Sequence, residues 1–229
     1  MSGDRDAIFG RIREALRVPA PRHHENVAAV AGAASKPEFR EWLPQVDDAF
    51  EKRQSAFQRL SKTLKTEFVP CASIVAAAKH VNELAQKNDW KRLATHAGEL
   101  NEKILKRLPE TLEIMSVEPG YDRDALEAAD AGLTECECLV AQTGSVCVTS
   151  TSSGGRTLSV LPPHHIVVAR RSQLVTDLTA AYAFLATKYP AGYPSFMTFI
   201  TGPSRTGDIE RILVLGAHGP KKLTVLLVP

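Results

Sequence analysis

Within ten residues, Thr201-Gly202-Pro203-Ser204-Arg205-Thr206-Gly207-Asp208-Ile209-Glu210 gathers hydroxyls, a guanidinium and flexible backbone. Gly202 and Gly207 relax backbone sterics, so that amide hydrogens can converge on one point. Ser204 and Thr206 add hydroxyl donors, and Arg205 adds a planar cation suited to carboxylate or phosphate. The stretch follows an expected apolar strand (195–201) and precedes an expected short helix, Ile209–Leu215, whose N-terminus would favour an anion. Open α/β sheets place ligands where strands end. The competing reading is a capped turn, with Asp208 as the N-cap and Arg205 in a structural ion pair. The Gly202–Gly207 spacing is not that of a Walker A loop, since no Lys-Ser/Thr follows.

Gly216-Ala217-His218-Gly219-Pro220 would close that helix, with glycine as the C-cap and proline preventing extension. His218 is either a structural donor or a proton carrier reaching the same crevice as Arg205, with Gly219 beside it. Upstream, Thr143-Gly144-Ser145 offers two hydroxyls around a permissive residue, suiting a tight turn or a small-ligand loop. Arg156 follows Gly154-Gly155, a hinge that would let it close over an anion. His164 and His165 point to opposite sides of an extended chain, so they do not share a metal. Ser145 and Ser204 lack the flanking glycines of a nucleophile elbow, which argues against a hydrolase.

These groups need a scaffold. Residues 4–17 read as an amphipathic helix with Ile8, Ile12 and Leu16 on one face, either packing on a partner subunit or capping its own domain. Residues 18–37 read as a Pro-, Ala- and Gly-rich linker, giving an N-terminal extension (1–37) and a main domain (38–229). The main domain alternates helices with strands: a helix at 44–64, a strand at 67–71, a helix from an N-cap at Ser73 to Lys87, a strand at 92–96, a helix at 98–108 and a strand at 111–117. Strands near 137–141, 145–149 and 165–169 follow, then a helix at 173–188, a strand at 195–201 and a last strand at 223–229. The pattern predicts an α/β fold with a largely parallel sheet flanked by helices.

Composition narrows the function. Hydrophobic residues make up 44% of 229 residues, and the 28 Lys and Arg nearly balance the 26 Asp and Glu. Charges crowd the first 129 residues without forming a basic stripe, so nucleic acid is not an expected partner. The N-terminus is no signal peptide, and the long uncharged stretches are broken by Gly, Pro, Ser and Thr, so a cytoplasmic protein without a membrane span is expected. Four cysteines (Cys71, Cys136, Cys138, Cys147) are too scattered for a disulfide framework. They also lack the spacing or histidine partners of an iron–sulfur or zinc site, and no metal is expected in this chain.

Taken in order, A-Q-T-G-S (141–145), G-R-T-L-S-V-L-P-P-H-H (155–165), G-P-S-R-T-G-D-I-E (202–210) and G-A-H-G-P (216–220) resemble the LUD-domain family, in its lactate-utilisation protein C branch. The resemblance covers about the last ninety residues. It implies a fold similar to the NagB/RpiA/CoA-transferase-like group and a role, with two iron–sulfur partner proteins, in oxidising L-lactate to pyruvate. The family pattern is similar to A-E-T-G-T, whereas this chain has Gln142 and Ser145, so acid/base chemistry from residue 142 is not expected. The resulting expectation is a non-redox subunit, more a component than a catalyst on its own, with iron–sulfur clusters in its partners and none bound here. A small anionic ligand would sit at Thr143, Gly144, Ser145, Arg156, Gly202, Ser204, Arg205, Thr206, Asp208, His218 and Gly219. The alternative is a stand-alone enzyme or metabolite sensor acting on a phosphate- or CoA-bearing molecule.

Overall fold

β7 (His164–Arg170) is a seven-residue run of HHIVVAR, buried on both faces, as a central strand of a parallel sheet must be. In the computed structural model, which describes residues 2–15, 17, 44–117, 121–206, 214–216 and 218–229, β7 lies inside a six-stranded parallel sheet. The other strands are β1 (Glu67–Pro70), β2 (Arg92–Thr95), β3 (Glu113–Ser116), β4 (Ala131–Thr134) and β12 (Lys222–Val228), in the order β1-β12-β7-β4-β2-β3. The expected parallel α/β architecture is therefore present.

The alternation along β7 and β12 sorts the core into two layers. Ile166, Val168, Leu226 and Val228 face α3 (Ile74–Lys87) and α4 (Glu99–Leu105). Val167, Ala169, Leu223, Val225 and Leu227 face α2 (Phe50–Leu64) and a second sheet. Each fully buried Leu or Ile contributes ~1.5–3 kcal/mol. The second sheet has the order β8-β5-β6-β9, built from β5 (Cys138–Val140), β6 (Ser145–Thr149), β8 (Leu174–Val175) and β9 (Met197–Ile200). Its far face packs Cys138, Val140 and Cys147 against Ala181 and Leu185 of α6 (Leu178–Lys188).

Local chemistry sets the helix starts. Ser73 Oγ accepts from the Ala76 amide at 3.2 Å, the cap expected for α3, and Asp177 Oδ1 accepts from Ala180 N at 2.8 Å to start α6. α6 therefore begins five residues later than expected, because 171–173 form a 3-10 turn and 174–175 pair with β5. α2 likewise begins at Phe50. β4 and α5 (Arg123–Glu127) carry no strong periodicity and were not expected; Gly132 interrupts the apolar pattern of β4.

The largest correction concerns residues 205–215. Arg205–Thr206 form β10, which pairs antiparallel with β11 (Val214–Leu215), so the expected helix Ile209–Leu215 gives way to a hairpin at its C-terminal end. Asp208 and Ile209 to Leu213 lie outside the described residues. Gly216 therefore ends a strand, with φ +75°, and does not cap a helix.

The chain divides into two units, Met1–Pro44 and Gln45–Pro229. The first contains α1 (Ser2–Ala15), whose Ile8, Phe9 and Ile12 are exposed. The expected linker 18–37, its boundary and Leu16 lie outside the described residues.

Candidate functional site

Gly132 is where the site begins. A Cβ there would lie 2.7 Å from the Leu158 carbonyl oxygen and 3.2 Å from Pro162. Only the missing side chain lets the 157–162 segment lie on the sheet beside His165, the register partner of Gly132 on β7. That segment carries Ser159 into the wall of a cavity of about 250 Å³, which also takes in His165, Gly202, Ser204, His218 and Gly219. Phe196, Thr198 and Ile200, from β9 and the residues before it, form the apolar side.

Two turns close on each other to make the mouth. Ser204 N donates to the Pro220 carbonyl at 2.9 Å, and Gly216 N donates to the Ser204 carbonyl at 2.9 Å. A Cβ on Gly219 would stand 3.2 Å from Ser204 Cβ, so glycine permits the contact. Gly202 holds φ +87°, a left-handed conformation that favours glycine, and a Cβ there would lie 2.9 Å from the Leu64 carbonyl. The G-P-S and H-G-P motifs thus converge as the sequence suggested.

The position of the cavity differs from the expectation. β9 belongs to the small mixed sheet, where it pairs antiparallel with β6, so its end is not a carboxyl edge of the parallel sheet. The cavity sits instead where β7 and β12 begin, at His165 and Leu223. His165 Nε2 lies 2.8 Å from Thr134 Oγ1, while its Nδ1 and Ser159 Oγ are buried polar atoms without a protein partner. Burial, helped by neighbouring His164, pulls the His165 pKa down to about 3, so the ring is neutral. Ser159 and His165 were absent from the expected ligand set; both stand in the G-R-T-L-S-V-L-P-P-H-H run that carried the family resemblance.

The other expected residues fall into two groups. Arg156 is exposed, donates to the Ser195 carbonyl at 2.9 Å and places its guanidinium 5.9 Å from the ring of Phe196, a cavity residue. Arg205 is exposed, with a guanidinium nitrogen 3.3 Å from where a Gly202 Cβ would stand. Both are cations beside cavity residues. Thr143, Gly144 and Ser145 do not line the cavity. They form the β5–β6 turn, where Gly144 (φ +67°) tucks under Leu60 and Leu64 of α2, and Ser145 Oγ sits 2.8 Å from both Thr143 Oγ1 and Thr201 Oγ1. Their hydroxyls brace the 201–204 turn from behind. Thr206 is placed only as part of β10.

The acidic residues near β5 are engaged structurally. Glu135 Oε1 accepts from the Leu100 amide at 2.8 Å. Glu137 is fully buried and accepts from Thr149, Lys188 and Tyr189 at 2.7, 2.6 and 2.7 Å. Burial alone would raise its pKa; the Lys188, Thr149 and Tyr189 hydrogen bonds overcome that and hold it below the usual carboxylate value. The four thiols are free and buried, and burial pushes Cys71 and Cys136 up; Cys138 is pushed up by its hydrogen bond to Cys147 and by burial. Among the described residues, no helix is long and apolar enough to cross a membrane.

Residues 25–228 match the LUD domain family model. A lactate utilization protein C from Geobacillus sp. (strain WCH70) is 39% identical over 107 residues, covering 46% of this chain and 44% of that protein. One from Exiguobacterium sp. (strain ATCC BAA-1283 / AT1b) is 30% identical over 184 residues, covering 78% of each. The chain thus spans less than half the length of the Geobacillus relative. A crystal structure of a DUF162 family protein from Deinococcus radiodurans aligns with TM-score 0.59 and 22% identity, covering 79% of this chain and 99% of that one, and shares its fold.

Proposed function

Because the chain belongs to the LUD domain family, we propose that it acts in lactate utilisation, as a non-redox subunit of an L-lactate-oxidising assembly that holds a small carboxylate. The observation that carries this reading is the convergence of Ser159, His165, Ser204 and His218 on one cavity of about 250 Å³, with Arg156 and Arg205 beside residues that line it. A three-carbon hydroxy or keto acid fits that volume, its carboxylate toward a guanidinium and its oxygen toward a serine or imidazole. His165, neutral and hydrogen-bonded through one nitrogen, can orient a ligand without adding charge.

Oxidising lactate releases two electrons, which need a carrier. Iron–sulfur clusters in two partner proteins, as the family resemblance implies, would supply that carrier. The relatives' names support the lactate reading. The test is a calorimetric titration of the lone chain with L-lactate and with pyruvate, beside a dye-reduction assay. Saturable binding without turnover is expected. Lactate-dependent dye reduction by the lone chain would instead make it a stand-alone enzyme.

A further inference from the structure

The opposite face of β7 carries a second pocket. His164 lines a cavity of about 280 Å³ together with Lys65, Glu67, Lys87, Lys221 and Lys222. It lies at the edge of the sheet where β1, β7 and β12 begin, between the end of α3 (Leu84, Lys87 and Asn88) and the end of α2 with the neighbouring turn (Lys65 and Pro203). Four lysines surround one carboxylate, and that carboxylate is already engaged. Glu67 Oε2 accepts from Thr224 Oγ1 at 2.8 Å, and its Oε1 lies 3.3 Å from His80 Nε2.

The hydrogen-bond directions fix the state of His164. A hydroxyl has one proton to give, and Thr224 gives its proton to Glu67. Thr224 Oγ1 therefore accepts from His164 Nε2, 2.8 Å away. Nε2 carries the imidazole proton, which leaves Nδ1 as a bare acceptor, and it has no protein partner. The side chain is 4% exposed, with its ring edge-on to Trp90. Burial, with Lys222 adding to it, pulls its pKa down to about 4, so the ring stays neutral.

Lys65 adds an independent observation. It occupies the C-cap of α2 at φ 61°, ψ 30°, a left-handed position where glycine is the ordinary residue. A lysine there carries backbone strain that glycine would relieve. Lys222 is held in place by Asn88 Oδ1 at 2.9 Å. An unpaired acceptor among lysines calls for a ligand that combines negative charge with an O–H donor.

We propose that this pocket binds a phosphate-bearing small molecule, whose phosphoryl oxygens meet Lys65, Lys87 and Lys221 while one of its hydroxyls donates to His164 Nδ1. This pocket adjoins the carboxylate cavity, sharing Pro203 and Leu223 with it, but its lysines and His164 are not part of that cavity, and the proposal stands whether or not the carboxylate reading holds.

The test is calorimetric titration of the full chain with inorganic phosphate and with glycerol phosphate at low salt, using the parent, Lys65→Gly, Lys221→Gln and His218→Ala. Saturable binding that weakens with added salt is expected. Lys65→Gly should lower affinity about tenfold while its unfolding midpoint stays level or rises, which separates lost binding from lost folding. Lys221→Gln keeps the stem that packs on Gly216 and should weaken binding similarly. His218→Ala, in the other cavity, should bind as the parent does. Tighter binding of the ester supports an organic phosphate in the site, and equal binding supports free phosphate. Affinity unchanged in both lysine variants, loss confined to His218→Ala, or no saturable binding of either probe would overturn the proposal.

Discussion

His164 and His165 are consecutive residues that hydrogen-bond on opposite faces of one strand: His164 Nε2 meets Thr224 Oγ1 and His165 Nε2 meets Thr134 Oγ1, each at 2.8 Å. Alternation along β7 therefore gives each pocket one neutral imidazole. Both rings are nearly inaccessible, and burial is the leading cause of their low pKa values, about 4 and about 3.

This pair makes the fold acid-sensitive. Between the unfolded histidine value near 6.5 and the folded values, the unfolded chain binds more protons, so stability falls as pH falls. The contribution is complete above about pH 6.5 and is lost progressively toward pH 4, by about 3 kcal/mol for each histidine. Urea melts at pH 7, 6, 5 and 4.5 check this, and His165→Gln, which keeps a hydrogen-bonding group near Nε2 without titrating, should flatten the profile. Glu137, with its lowered pKa, adds its own loss only at lower pH. A midpoint independent of pH between 7 and 5 contradicts the argument.

Gly132→Ala should destabilise by about 1–3 kcal/mol, because its Cβ meets the Leu158 backbone at 2.7 Å. The same change should displace Ser159 and weaken carboxylate binding. A variant of parental stability and affinity would show that the 157–162 segment moves aside freely.

The elements with strong patterning were readable beforehand. α3 runs from its Ser73 cap to Lys87, and β7 and β12 lie where the apolar runs fall. β4 was not, since Ala131-Gly132-Leu133-Thr134 offers neither β-branched density nor alternation, and its burial comes entirely from its neighbours. The convergence of the G-P-S and H-G-P motifs was legible because glycine and proline mark tight turns. Thr143 and Ser145 misled because hydroxyls beside a glycine serve a bracing turn as well as a ligand. Ser159 and His165 were hidden because their exposure to a cavity depends on Gly132, a long-range contact that local spacing does not encode. Residues 209–215 resembled a helix because Asp208 is a good cap, yet Val214 and Leu215 at its expected end pair with Thr206 and Arg205, a contact that local spacing does not encode.

Arg205→Ala should leave stability within about 0.5 kcal/mol of the parent, as expected for an exposed side chain, while weakening carboxylate binding at least tenfold. Thermal melts and calorimetry on the same samples check both halves. A large stability loss would identify Arg205 as a structural partner.

Lys188→Met should destabilise by about 3 kcal/mol, the low end for a broken buried pair, since Glu137 is fully buried while Lys188 is 46% exposed. A double-mutant cycle with Glu137→Gln should recover part of that loss. Additive losses would show that the two charges are not coupled.

Gentle affinity purification of the tagged protein from cells that make it, grown on L-lactate, tests the proposed subunit role. Coloured material with the broad visible absorption of iron–sulfur clusters, reducing dye with lactate, is expected, with a lone recombinant chain that binds lactate or pyruvate without either property. Colourless, partner-free protein from lactate-grown cells, with no lactate activity, would overturn that role.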